Sequence, residues 1–150
     1  MSGHPPVAQL VPHAGRALLL DRIVDVGDNR IVAELTITED KPYCRDGRMG
    51  SWVGVELMAQ CAAALAGLEA WRRGRPPRVG FLLGVRRYRC TQPAFLLGQR
   101  LRVEAEREFE AGNGVGAARC RILAEDQTVL SEAAIAVFQP EDPRSALGSA

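Results

Sequence analysis

The stretch Met49-Gly50-Ser51-Trp52-Val53-Gly54-Val55-Glu56-Leu57-Met58-Ala59-Gln60-Cys61-Ala62-Ala63-Ala64-Leu65-Ala66 decides how the rest of the chain must fold. Its residues are helix formers with no proline, and the spacing predicts a helix from Ser51 to about Arg72. Ser51 stands after Gly50 as an N-cap, and arginines near the far end complement the helix dipole. Gly74 and Pro76-Pro77 stop it. Val53, Leu57, Met58, Ala62, Leu65 and Leu68 make it apolar nearly all round, so it must be wrapped by protein rather than lie on a surface. Glu56 is the anomaly. Burying a carboxylate among Val, Leu, Met and Ala costs several kcal/mol unless it has a partner or a task, so Glu56 is expected to be buried and is the first catalytic candidate.

Outward from the helix, the chain reads as strands. Leu18 to Val26 begins them, Gly27-Asp28-Asn29 turns, and Ile31 to Thr38 alternates with the period of a half-buried strand, giving a hairpin. Glu39 to Met49, with Pro42, Gly47 and several charges, has no period and reads as a loop, in which Asp46-Gly47 is a turn. After the helix come strands at Val79–Cys90, Gln99–Phe109, Val115–Ala124 and Val129–Gln139, with turns at Glu110–Gly114 and Glu125–Gln127. Strand, strand, one long helix and four strands is an α+β order: an antiparallel sheet curled round a single helix, the hotdog architecture. Residues 1–150 form one domain, with a core over about 8–139 and a frayed tail at 140–150.

Composition excludes several roles. With 47% apolar and 25% charged residues the chain has the makeup of a soluble domain, and no apolar stretch is expected to reach the roughly 18 residues that span a bilayer. The start, Met1-Ser2-Gly3-His4-Pro5-Pro6, lacks the pattern of a signal peptide, so a cytoplasmic location and free thiols are expected. Cys44, Cys61, Cys90 and Cys120 form no CxxC pair, so no metal is expected, and no motif asks for a cofactor. The formal charge is +1, but Arg72, Arg73, Arg75 and Arg78 cluster, followed by Arg86, Arg87 and Arg89. They read as a solvated face or as a docking surface for an acidic partner, with Arg72 and Arg73 the chosen candidates. Aromatics do not interleave with them, which argues against nucleic acid.

Leu10-Val11-Pro12-His13 followed by Leu18-Leu19-Leu20-Asp21-Arg22-Ile23 resembles the opening of bacterial 3-hydroxyacyl-[acyl-carrier-protein] dehydratases. So does the phrase Glu56-Leu57-Met58-Ala59-Gln60, and Phe81 to Arg89 resembles their central dimer strand. The run Trp52 to Gln60 is similar in particular to the divergent dehydratase-like proteins of aryl-polyene pigment clusters. The resemblance implies a hotdog fold, a dimer, thioesters of acyl carrier protein or coenzyme A as substrates, and fatty-acid or polyene biosynthesis. It implies Glu56 as the acid that protonates the departing hydroxyl.

The chain departs from that pattern in the loop before the helix. There the dehydratases carry a histidine, followed by Phe-Pro-Gly, that removes the C2 proton. This chain has Pro42-Tyr43-Cys44-Arg45-Asp46-Gly47-Arg48. His13 matches the family's structural histidine and is expected to be packed and hydrogen-bonded. Tyr43 and Cys44 are the loop's possible contributors, as proton donor or tunnel wall and as a stabilised thiolate. Gln60, one turn after Glu56, either holds the carboxylate or satisfies backbone. The thioester carbonyl is expected at the amides of Val53 and Gly54, and Ala59, Ala62, Ala63 and Ala66 leave space for an acyl chain or pack against the sheet. Three functions follow: a dehydratase completed by a histidine-bearing partner, a hotdog thioesterase using Glu56, and a non-catalytic member of a homodimer or heterodimer.

Overall fold

In the computed structural model, which describes residues 3–76, 80–110 and 112–139, the helix α1 spans Gly54–Arg72. It is preceded by a 3-10 turn at Ser51–Val53. Six strands enclose it: β1 Arg22–Val26, β2 Arg30–Thr36, β5 Phe81–Cys90, β7 Arg100–Glu110, β8 Val115–Ala124 and β9 Val129–Phe138. They pair antiparallel in the order β1-β2-β7-β8-β9-β5. This is the hotdog arrangement expected from the element order. Pro77, Arg78, Val79 and the tail from Pro140 lie outside the described residues, as does Ala111 in the expected turn before β8.

Leu57, Met58, Cys61, Ala64 and Leu68 of α1 are buried against Ile31, Ala33 and Leu35 of β2, Leu101, Val103 and Ala105 of β7, and Cys120 and Ile122 of β8. Gly67 is required on the helix face turned toward the N-terminal segment, because a Cβ there would fall on the backbone carbonyl of Leu10. With its 3-10 lead-in the helix runs 22 residues from Ser51, and by length and composition it could cross a bilayer, contrary to the expectation that no stretch could. Its apolar surface is instead taken up largely by the sheet.

Three expectations fail locally. Ser51 is not an N-cap, since no side chain caps α1 and Ser51 sits in the 3-10 turn. β2 is buried on both faces, because Glu34 on its outer side is only 7% exposed beneath Arg22, Arg100 and Arg102, at 2.8, 3.9 and 3.6 Å. The supposed loop over 39–49 contains β3 Cys44–Arg45 and β4 Arg48–Gly50, which with β6 Ala94–Leu96 form a second sheet in the order β3-β4-β6. Asp46 and Gly47 make its turn, both with positive φ. β5 ends the large sheet, with Leu82 and Leu83 exposed along it.

Candidate active site

Glu56 projects from the first turn of α1, where the helix dipole favours a negative charge. Its side chain is 44% exposed, so the expected burial does not hold. Its apolar sequence neighbours Leu57 and Met58 turn toward the sheet, while Glu56 falls on a less covered stripe with Ala59, Ala63 and Ala66. Ala62, at the edge of that stripe, is buried, so of the four small residues it is the one that packs.

Gln60 is fully buried and does both things left open for it. Its Nε2 donates to the Ala17 carbonyl at 2.7 Å and to Glu56 Oε1 at 3.0 Å, and its own Oε1 accepts the Leu19 N–H at 2.9 Å. One amide thus pins the segment before β1 to the helix and holds the carboxylate. That segment also carries His13, whose Nε2 lies 3.5 Å from Glu56 Oε1. The expected hydrogen-bonded histidine is not found: the ring is partly buried, Nδ1 has no hydrogen-bond partner, and Nε2 has only the ion-pair contact with Glu56.

At the helix start, Val53 is buried and Gly54 is covered by Tyr88 of β5. The Tyr88 hydroxyl occupies the position a Gly54 Cβ would need, and donates to the Ser51 carbonyl. Burial pushes the Tyr88 pKa up, which keeps the hydroxyl a donor. The Gly54 N–H turns back to the Ser51 carbonyl, so this amide is already engaged in the 3-10 turn. Tyr88 is a contributor the sequence did not flag: a tyrosine among arginines on a strand carries no signal of the helix end it reaches.

Tyr43 is exposed, has φ 69°, and meets Trp52 edge-on with ring centroids 5.4 Å apart. Cys44 is half-buried opposite Met49 in the β3–β4 pair. Neither is hydrogen-bonded to Glu56. Arg72 and Arg73 are at the far end of α1, about 24 Å along the axis from Glu56 at 1.5 Å per residue. Arg73 pairs with Glu69 at 3.2 Å. Arg86, Arg87 and Arg89 are exposed on β5 around Tyr88, hence at the Glu56 end, and none of them is in an ion pair among the described residues.

The ApeP-like family model, described as ApeP dehydratase, matches residues 5–148. The chain belongs to the ApeP-like dehydratase family. This ApeP-like chain superposes on the dehydratase heterocomplex ApeI:P from Xenorhabdus doucetiae with a TM-score of 0.88 and 26% identity, over 97% of each chain. It shares the fold alone with a hypothetical thioesterase from Streptococcus pneumoniae TIGR4 solved with coenzyme A (TM-score 0.62, 13% identity, 79% of this chain and 84% of that one). The same holds for the Escherichia coli PaaI protein (TM-score 0.60, 13% identity, 78% and 81%). No curated protein matches it.

Proposed function

We propose that this ApeP-like dehydratase removes water from 3-hydroxyacyl thioesters of acyl carrier protein in fatty-acid or polyene-type biosynthesis, and that a histidine-bearing hotdog partner completes its site. The observation that carries the reading is Glu56: a half-exposed carboxylate at a helix start, held on one oxygen by Gln60, beside a stripe of small, partly exposed residues. In this reading a base on the partner takes the C2 proton. The C2–H electrons form the C2–C3 double bond, the C3–O bond breaks, and Glu56 protonates the departing hydroxyl, so that water leaves. The thioester carbonyl lies near the helix start, where the dipole favours developing negative charge; the Val53 and Gly54 amides are themselves used in the 3-10 turn.

The partner enters across β5. This strand ends the sheet with exposed Leu82 and Leu83 and an open row of backbone groups. Through Tyr88 it also touches the helix start, so a chain paired to β5 can bring its own loop near Glu56. The relative that matches over 97% of its length is itself a heterocomplex.

The test is dehydration of a 3-hydroxybutyryl thioester by the chain alone and after co-expression with a hotdog chain carrying the loop histidine. Activity is expected in the pair, with little or none alone, and Glu56→Ala in this chain should lower the paired activity by about 10²–10⁴-fold. Robust dehydration by the chain alone would overturn the composite site, and thiol release without dehydration would make the protein a thioesterase.

A further inference from the structure

The proposed chemistry gives Glu56 an acid's task but leaves open how a half-exposed carboxyl presents one defined oxygen to the leaving group. One donor is bonded to Oε1 and a second nitrogen lies within ion-pair distance of the same atom. Gln60 Nε2 is 3.0 Å from Oε1 and His13 Nε2 is 3.5 Å from it, while Oε2 has no hydrogen-bond partner among the described residues. The two groups differ in what fixes them. Gln60 is locked by Ala17 and Leu19. His13 stands on the segment just before them, so the Gln60 bonds that pin Ala17 and Leu19 also place its ring.

The tautomer of His13 follows from its surroundings. Nδ1 is buried and faces no acceptor, so a hydrogen placed there would be an orphaned buried donor. Nε2 faces a carboxylate oxygen. A neutral imidazole has one N–H; at Nε2 it lies within ion-pair distance of a carboxylate oxygen, at Nδ1 it has no partner. A ring in this state has no free lone pair toward the substrate and is not the base.

We infer that His13 is a positioning residue that, with Gln60, clamps Glu56 Oε1 and leaves Oε2 as the oxygen that carries and delivers the proton. The inference rests on the dehydratase reading for its consequence, but not for its geometry. As the Oε2–H bond breaks and the new O–H bond forms on the departing oxygen, negative charge spreads over the Glu56 carboxylate. The Gln60 N–H bonded to Oε1 receives it in place, and the His13 ring beside the same oxygen closes on it. The 3.5 Å separation shortens as that charge develops, as catalytic hydrogen bonds commonly do on passing from the empty site to the transition state. Gln60 alone would fix Oε1 from one side and leave the carboxyl free to swing about that bond. The second donor, from a different segment, removes that freedom.

The chain has two histidines, so His13 can be read directly in a long-range 1H–15N spectrum with His4 replaced. The clamp requires a hydrogen on Nε2 and none on Nδ1, and a His13 resonance that moves in Glu56→Ala. The opposite tautomer overturns it, whether or not any activity is found. In the co-expressed pair, with a 3-hydroxybutyryl pantetheine thioester, His13→Ala should lower kcat about tenfold and change KM less than twofold. His13→Gln, which keeps an N–H donor, should recover most of the loss, and serves as the folding control. An unchanged kcat in His13→Ala overturns the clamp. Restoration of His13→Ala by free imidazole, together with restored exchange of the C2 hydrogen, would make His13 the base and also overturn it. Failure of the wild-type pair to release water, with the Nε2–H tautomer present, would reject the dehydratase reading and leave the clamp standing.

Discussion

The Gln60 side-chain amide donates to Glu56 Oε1 across one helical turn while its carbonyl accepts the Leu19 N–H from the other side, so a single buried residue couples the acid to the segment before β1. Gln60→Ala removes three bonds and orphans a buried backbone N–H. We expect a loss of about 1–3 kcal/mol, seen as a fall of several degrees in Tm, together with lowered dehydration. Gln60→Glu should fare no better, because a second carboxylate would then face Glu56. A Gln60→Ala variant with wild-type Tm would show that the segment 17–19 is held by something else.

Glu56→Gln should behave differently. The side chain is half-exposed and loses no buried partner, so stability should stay within about 0.5 kcal/mol while paired dehydration falls. Thermal melts beside turnover assays separate the two effects, and full activity would end the assignment of Glu56.

The contact between Tyr88 and Gly54 makes a third prediction. Alanine at Gly54 gains helix propensity, about 1 kcal/mol, but its Cβ collides with the Tyr88 hydroxyl, an overpacking cost of about 1–3 kcal/mol. Gly54→Ala should therefore destabilise the wild type and cost clearly less in a Tyr88→Phe background. A double-mutant cycle of thermal or urea unfolding measures the coupling, and strict additivity would contradict it.

The four thiols should split into two pairs. Cys61 and Cys120 are completely buried, and Cys44 and Cys90 are half-buried. At pH 8 a thiol reagent should modify Cys44 and Cys90 first, and all four only in denaturant. Burial pushes the Cys120 thiol up to about 12 and raises that of Cys61 as well. A raised thiol pKa means that above about 9 the unfolded chain sheds a proton the folded one keeps. Stability from these groups is therefore intact below pH 9 and falls progressively toward pH 12. Urea midpoints measured across that range check the sign.

The helix was legible as a proline-free apolar run between Gly50 and Gly74, and the six strands of the large sheet as longer runs set off by turn residues. β3, β4 and β6 were not, since two or three residues show no period, and they are held by one another and by the Asp46-Gly47 turn. The expected burial of Glu56 was read from the wrong neighbours. Its neighbours in sequence are apolar, yet on a helix they occupy another face, and burial depends on the face. The burial of Glu34 failed in the opposite sense, since Arg22 of β1 and Arg100 and Arg102 of β7, the two neighbouring strands, cover a residue that alternation placed outside. His13 lies beside Glu56 across 43 positions in the chain, on a segment that Gln60 also holds farther on at Ala17 and Leu19. A pairing of that kind is tertiary and leaves no local pattern to read.

The structure also divides the basic cluster. Arg72 and Arg73 sit at the C-terminal end of α1, about 24 Å of helix away from Glu56, whereas Arg86, Arg87 and Arg89 flank the tyrosine that touches the helix start. On the proposed reading, an acidic carrier delivering a thioester to Glu56 would meet the β5 arginines first. Reversing Arg87 and Arg89 to Glu should slow turnover of carrier-bound substrate and flatten its salt dependence, while sparing a small pantetheine thioester. Reversing Arg72 and Arg73 should do less. Because β5 is also the proposed partner edge, sedimentation of each variant with its partner must accompany the kinetics. Loss on both substrates with loss of the complex would mean that the arginines serve assembly. A carrier-specific loss confined to the Arg72 and Arg73 variant would place docking at the other end of the helix.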